Sequence, residues 1–579
     1  MNIIYKIFFP ILLLLLVFIG FIHPTQDLSL DLGEHLLRGK VMVETHHIIT
    51  TNLFSYSNPQ FTDISYEWLT EIIFYFIYTI FGINGLILFT AIISTFAFSI
   101  IYFYALKRFN KFLVSFSALL YIRLLFERTL VQPEIFSYLF FSLFIVLLFS
   151  FREKYSKKIF LLLPIQLLWV NMHIFFLVGI YLVGIFLLES IILFRKKNNK
   201  KYIYTLAIIF VSIVLVSLVN PYGFKGLFFP FTLPQSYGFN VEENNNIFQI
   251  INSHPGTIEY SILFFQIGSV MLILSMLLYL FKSRLIDWLI SISFISAATV
   301  AIRNFPLFVF LTFISFTFMF DTYLKLFDSL FKKYHRCSFY VNRLLVIILF
   351  ILIGYHLYLV PHVQGFGFGS DHRGEAAVNF IINNHIQGTI LNDYDFGSYL
   401  AFRLYPNEKV FVDARPEVYP VSFFHNIYYP MLQNYKIFQK TDKKYHFNVI
   451  FFSISDQTPG AFIFIKSLLS NNNWKLVYLD QYAIIFLKNT SSNKSIINTN
   501  EVTQNAYHLP VLKTVDDFNN LGFFLSQIGW TQQAIIVYKK MNAIDPTNCA
   551  VLHNLVYLLS QNGTDVSNYI YQFNSYCQK

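Results

Sequence analysis

Runs of apolar residues long enough to cross the hydrocarbon of a bilayer, about 20 residues with shorter ones tolerated inside a bundle, recur from the N-terminus to about Val360 and then stop. Eleven spans can be drawn: Ile7 to Ile22, Asn84 to Leu106, Phe112 to Phe126, Ile135 to Phe151, Ile159 to Val170, His173 to Phe194, Ile203 to Val219, Tyr260 to Phe281, Leu285 to Ala301, Phe305 to Phe320 and Leu344 to Val360. The pattern predicts a polytopic α-helical membrane domain over residues 1–360. The first run could serve as a signal peptide, but no small-x-small cleavage site follows it, so it is read as an anchor. One apolar stretch, Trp68 to Phe81, does not fit as a span, because a crossing there would invert every later loop. It is placed as an interfacial helix with Tyr66 and Trp68 at headgroup level. Residues 23–83 then form a structured outer loop.

Beyond Pro361 the period changes. Thr389 to Leu391, Lys409 to Val412, Asn448 to Phe452, Trp474 to Leu479 and Ala483 to Leu487 read as strands, with helices at Glu375 to Asn383 and Gly460 to Leu469. This predicts an extracytoplasmic α/β domain over 361–488. A polar run rich in Ser, Asn and Thr follows and predicts a linker over 489–512. In the last segment, 513–579, Asn520, Leu521, Leu525 and Gly529 recur as Asn554, Leu555, Leu559 and Gly563, with Ala534, Tyr538 and Pro546 in place. That spacing resembles a tetratricopeptide repeat. A plain helical hairpin is the simpler reading, and the segment is expected to pack on the α/β domain or bind a protein partner.

Composition agrees with the pattern: of 579 residues 55% are hydrophobic, 19% aromatic and only 13% charged, against roughly 25% charged in a soluble protein. The net charge of +10 changes meaning once it is sorted by side. With the N-terminus in the cytoplasm, the clusters Lys107 to Lys111, Arg152 to Lys158, Arg195 to Lys201, Lys282 to Arg284 and Lys325 to Arg343 all fall inside. Up to Pro361, only Arg38, Lys40, Arg123, Arg128, Lys225 and Arg303 fall outside. The positive-inside bias therefore fixes a multi-pass protein of the cell (inner) membrane with its C-terminal domain extracytoplasmic, and removes nucleic acid as a partner. Three cysteines, Cys337, Cys549 and Cys577, make no C-x-x-C spacing, which leaves room for one disulfide between Cys549 and Cys577.

The segment after the first span carries the densest chemistry. If Asp31 to Gly39 is helical, Asp31, Glu34, His35 and Arg38 share one face. A solvated polar face of an interfacial helix would have the same spacing. Asn171 and His173 lie at a break between spans, where buried polar groups must be paired; they would line a cavity or bridge helices. Asp393-x-Asp395 reads as turn chemistry, and Asp413 with Arg415 reads as an internal ion pair or a substrate contact.

Longer motifs settle a resemblance. Asp31-x-x-x-His35-Leu-x-x-Gly39, Asn52-Leu-Phe54-Ser55, Tyr66-Glu67-Trp68-Leu69, Gln132-Pro133, Trp169-x-Asn171-x-His173, Asn220-Pro221-Tyr222-Gly223, Arg303-Asn304, Asn392-x-x-x-Phe-Gly397-x-Tyr399-Leu400 and Val412-Asp413-x-Arg415 together resemble a group of bacterial polytopic membrane proteins. Their layout is similar to that of GT-C glycosyltransferases, the class that includes protein O-mannosyltransferases and aminoarabinose transferases. The resemblance covers roughly Asp27 to Leu487 and implies transfer of a sugar from a polyprenyl-phosphate donor to an extracytoplasmic acceptor. It implies the role of catalytic base for Asp31, with Glu34 as the rival, since a carboxylate at that depth could deprotonate an acceptor hydroxyl. The leaving phosphate would need cations or donors, for which Arg128, Arg303 and Lys225 are candidates with Asn220 and Tyr222. His35, Arg38, Glu67, Asn171, His173 and Arg415 complete the expected substrate site.

Two departures qualify it. The group often has a second acid where this chain has Ser29, and Asp where this chain has Asn52. Asp31, Glu34, His35, His46 and His47 could hold a divalent cation, but their spacing is irregular and no metal is assigned. The five Trp make no Trp-Trp-Asp signature, which disfavours an oligosaccharyltransferase. Two other functions fit a chain of this layout: a non-enzymatic membrane-anchored scaffold of an envelope complex, and a lipid or polysaccharide transporter, against which stands the scarcity of mid-span charge.

Overall fold

The computed structural model describes residues 8–25, 31–197, 200–239, 241–253, 260–278, 283–330, 351–358, 365–370 and 373–577. Asp27, Ser29 and most of the expected span Leu344 to Val360 lie outside the described residues. Among the described residues, thirteen α-helices precede residue 331: α1 (Phe9–Gly20), α2 (Leu32–Thr45), α3 (Trp68–Leu106), α4 (Lys111–Leu125), α5 (Glu134–Glu153), α6 (Leu162–Val170), α7 (Phe176–Lys197), α8 (Lys200–Val216), α9 (Phe224–Ser236), α10 (Ile247–Ser253), α11 (Tyr260–Leu278), α12 (Leu285–Val300) and α13 (Phe305–Leu330). Each of the ten expected spans up to Phe320 falls on one of them. Among the described residues, five helices are long and apolar enough to cross a membrane. Their outward faces carry Ile92, Phe96, Ile192, Val270 and Leu274 exposed. In water such a surface would drive aggregation; in hydrocarbon it is the matched solvent.

The arm Trp68 to Phe81 and the following span are one continuous helix except at Gly82, where φ is 64° and ψ −163°. That conformation is open essentially to glycine alone, so the chain can turn there without losing its helical course on either side. Inside the bundle, aromatic rings stack and their hydroxyls are paired: Tyr121 lies 5.3 Å from Phe308 and bonds Thr312 at 2.9 Å, and Tyr138 lies 5.3 Å from Phe310. Pairing matters because a lone hydroxyl in this interior costs a few kcal/mol. Buried carboxylates at the ends of spans are neutralised in the same way, Glu189 by Arg152 at 2.7 Å and Asp287 by Arg284 at 2.6 Å.

Helix α2 lies against the first turns of α3, and Gly39 sets how close. A Cβ there would meet the Glu71 carbonyl oxygen at 2.2 Å. Gly39→Ala is therefore expected to destabilise the protein by about 1–3 kcal/mol, although Ala favours a helix interior by about 1 kcal/mol. Thermal unfolding in detergent measures it, and an unchanged or higher midpoint would contradict this packing.

The C-terminal part contains a four-stranded sheet of β1 (Ile390–Asn392), β2 (Val449–Ser453), β3 (Trp474–Leu479) and β4 (Ala483–Lys488) in the order β1-β2-β4-β3, with β1 and β2 parallel and the other pairs antiparallel. Helices Glu375–Asn383 and Ala461–Leu469 cover it. The expected strand Lys409 to Val412 is not in the sheet. Val410 pairs instead with the loop after α2, exchanging backbone bonds with Phe54 and Tyr56 at 3.1 Å, and the Asn392 amide takes the Phe411 N–H and the Val412 carbonyl. The extended segment thus welds the α/β part to the loop 46–66. A further helix, Tyr394–Leu404, starts where turn chemistry is expected: Asp393 is its N-cap, accepting from Phe396 N at 3.0 Å. The polar run after β4 carries helix Lys494–Asn500 and is tied to β3 by the Val502 N–H on the Leu476 carbonyl, 2.8 Å. The last segment forms four successive helices, Val515–Gln527, Thr531–Ile544, Cys549–Gln561 and Ser567–Cys577. Cys549 and Cys577 are joined by a disulfide. These helices lean on the α/β part through Phe462 against Phe523 and the Tyr482 hydroxyl on Asp517.

Candidate active site

A cavity of about 250 Å³ opens where α2, the start of α3, the start of α5, the segment around Arg303 and the α/β part converge. The polar face of α2 forms one wall: Asp31, Glu34, His35 and Arg38 all line it, as their spacing on one helix face requires. They do different things there. Asp31 occupies the N-cap position but makes no capping bond, and its partner is the Gln132 amide, whose Nε2 donates to Oδ2 at 3.5 Å. Burial pushes its carboxyl above the ordinary value, Glu243 adds to the push, and His35, Arg128 and Arg303 pull against it. Glu34 is locked: Oε1 sits 2.6 Å from Arg415 Nε and Oε2 accepts from Ser398 at 3.1 Å.

Arg38 and Arg415 also reach the cavity wall, but carboxylates occupy their guanidinium donors. Arg38 donates to Glu71 at 2.7 Å and to Asp63 at 2.6 Å; Arg415 donates to the same Asp63 oxygen at 2.6 Å, to Asp413 at 2.7 Å and to Asn52 at 3.2 Å. Asp63 bridges the two arginines. Asp413 and Arg415 form an internal ion pair, and Arg415 also lines the cavity. Asn52 serves this clamp, accepting from Arg415.

Behind the clamp, the donor atoms of His35, Glu67 and Glu71 lie within 4.8 Å of one another. Burial acts to lower the His35 pKa, but the hydrogen bond to Glu71 and the charges of Glu67 and Glu71 outweigh it and raise it to about 9. A cation here would have to displace that proton and compete with Arg38 for Glu71. Glu34 is turned to Arg415, and His46 and His47 sit exposed at the far end of α2, so the five residues that sequence offered as an alternative cation site do not converge. His173 lines the cavity, with Nδ1 on Ser137 Oγ at 2.8 Å and Nε2 3.5 Å from Glu67.

Of the two arginines offered for a phosphate, Arg128 is paired with Glu134 at 2.9 Å and with Glu243. Arg303 lines the cavity, donates to Asn244 at 3.0 Å, and keeps a buried Nε–H without a partner. Arg128 and three other expected residues stand outside the cavity wall. Asn171 bridges helices, accepting from Trp68 Nε1 at 3.0 Å and donating to the Leu167 and Val219 carbonyls. Asn220 closes its own turn, and the Tyr222 hydroxyl ties Ile49 and Ser65. Sequence reasoning missed Asp63, Glu71, Tyr237, Glu243, Tyr394 and Glu417 on the wall. Only Glu71 left a signal, an acid one helical turn after Glu67 in an otherwise apolar run.

No protein-family model matches the chain, and no curated protein does. Solved structures do. The chain superposes on the oligosaccharyltransferase AglB from Archaeoglobus fulgidus, solved with an inhibitory peptide and a dolichol-phosphate, with TM-score 0.58 at 10% identity over 94% of this chain and 86% of that one. An Archaeoglobus fulgidus oligosaccharyltransferase with Zn and sulfate gives TM-score 0.53 at 9% identity, over 92% of this chain and 86% of that chain. The fold is GT-C. ArnT from Cupriavidus metallidurans in the apo state fits as well, with TM-score 0.50 at 12% identity over 84% of this chain and 98% of that one. At such identities the likeness shows the fold alone, and the chemistry must come from the residues of the cavity.

Proposed function

We propose that this protein is a membrane glycosyltransferase that moves a sugar from a polyprenyl-phosphate donor to a hydroxyl-bearing acceptor on the extracytoplasmic side, with Asp31 as general base. The observation that carries the reading is the placement of Asp31 and Arg303 on the wall of one cavity, each with spare bonding capacity, while Glu34, Arg38 and Arg415 are held by one another and by Asp63 and Asp413. In the step, the acceptor oxygen bonds the anomeric carbon as the bond from that carbon to the phosphate oxygen breaks. The acceptor proton passes to Asp31, and the polyprenyl phosphate leaves with its negative charge facing Arg303. The GT-C architecture supports the reading by bringing a membrane domain and an α/β part together around such a cavity.

Reconstituted protein supplied with polyprenyl-phosphate sugars is expected to release polyprenyl phosphate only when an acceptor is present. Because burial raises the Asp31 pKa, the working form is present above that raised value and lost as pH falls through it. The acid limb of kcat/KM should therefore lie above the ordinary aspartate range of about 4. A profile flat down to that range would contradict Asp31 as base. Arg303→Ala should lower kcat/KM by about 10- to 100-fold, the worth of one charged hydrogen bond.

A further inference from the structure

On the side of α2 turned away from the acidic cavity lies a second cavity of about 760 Å³. The helical period places it there: Leu36, Leu37 and Lys40 point opposite to Asp31, Glu34, His35 and Arg38. Its charge is reversed. Lys40, Arg373 and Arg403 line it against a single carboxylate, Glu375. Arg403 is the organised member, with one guanidinium nitrogen donating to the Tyr399 hydroxyl at 2.7 Å and the other to Asn379 Oδ1 at 2.8 Å. Both partners are neutral, so they orient the cation without cancelling its charge, and no carboxylate pairs with Arg403 among the described residues. The Lys40 ammonium stands 4.0 Å from Glu44, with both side chains about half exposed, a contact worth little in water.

The cavity also has a depth. Its wall runs from Tyr75 and Tyr78 across the break at Gly82 to Asn84, where the apolar span of α3 begins. On the same arm Phe76, Ile80 and Phe81 are exposed. Next to the Gly369 and Ser370 wall, Phe366 and Phe368 are exposed at 58% and 50%. Exposed aromatic side chains beside basic groups, at the mouth of a span, are the arrangement of a headgroup layer.

We propose that this second cavity binds the phosphate of an anionic phospholipid, with Arg403 and Lys40 holding the phosphate and the exposed Phe residues resting among the acyl chains. Such a lipid would seat on the back of α2, whose front face carries Asp31, and would join the arm of α3 to the helix Tyr394–Leu404. The site is independent of any transfer reaction. The test uses the full chain purified in neutral detergent, titrated with phosphatidylglycerol, phosphatidylcholine or inorganic phosphate, with bound lipid counted by native mass spectrometry and the unfolding midpoint read in parallel. Saturable binding and a raised midpoint are expected with phosphatidylglycerol alone. Lys40→Gln and Arg403→Gln should each weaken it about fivefold, and the pair about 25-fold. Lys40→Glu, at a half-exposed position, serves as the second variant if Arg403→Gln fails to fold, and should weaken binding at least as much as Lys40→Gln. Full affinity in the double variant, or equal binding of phosphatidylcholine or inorganic phosphate, would overturn the assignment.

Discussion

Asp31→Asn is expected to lower kcat for sugar transfer by about 10²- to 10⁴-fold, the usual worth of a positioned general base, while leaving the folded protein and its affinity for the lipid donor near wild type. The substitution is isosteric, and Asp31 takes no part in the ion clamp: it holds no capping bond, and its contact is the Gln132 amide. Loss of one charge from a buried, partly compensated position also removes a desolvation cost, so the unfolding midpoint should stay level or rise. The comparison with Glu34→Gln separates the two acids. Glu34 is bound to Arg415 and Ser398, so its replacement should cost stability first. A purified Asp31→Asn protein that turned over at the wild-type rate would end the case for Asp31.

The second large effect is structural. Asp63 accepts from Arg38 and from Arg415, both at 2.6 Å, and all three side chains are buried. Asp63→Asn leaves two buried guanidinium groups sharing fewer negative partners. Breaking a buried pair in this way costs about 3–5 kcal/mol. The loss should appear as a lower thermal midpoint and as faster proteolysis between the membrane part and the α/β part, because the Asp63 contact links the loop after α2 to Arg415. Combining Asp63→Asn with Arg415→Met should cost less than the sum of the two, by 1 kcal/mol or more. Strict additivity would show that the two side chains do not act as one unit.

Sequence carried the membrane helices and the polar face of α2, because each depends on local periodicity. An apolar run of about 20 residues has few alternatives, and a helix of known phase must present Asp31, Glu34, His35 and Arg38 together. The strands β1 to β4 and the helix Glu375–Asn383 were legible for the same reason. Lys409 to Val412 was not: its composition suits a strand, but its partner is the loop at Phe54 to Tyr56, more than 350 residues away in the chain, and no local pattern encodes that pairing. Asp393 looked like turn chemistry and is a helix cap, since both uses ask for the same short acceptor.

What the sequence determined by itself is a many-helix membrane chain with an acidic helix face after its first apolar run and an α/β part near its end, since hydrophobic length and helical phase are properties of neighbouring residues. Which acid on that face remains available, and which is consumed by arginines, was decided only by the tertiary structure. Arg415, paired with Asp413, arrives from a distant part of the chain to claim Glu34 and Asp63 and leaves Asp31 open. Charge pairing at 2.6 Å is set by where distant segments meet, and spacing along one helix carries no information about that meeting.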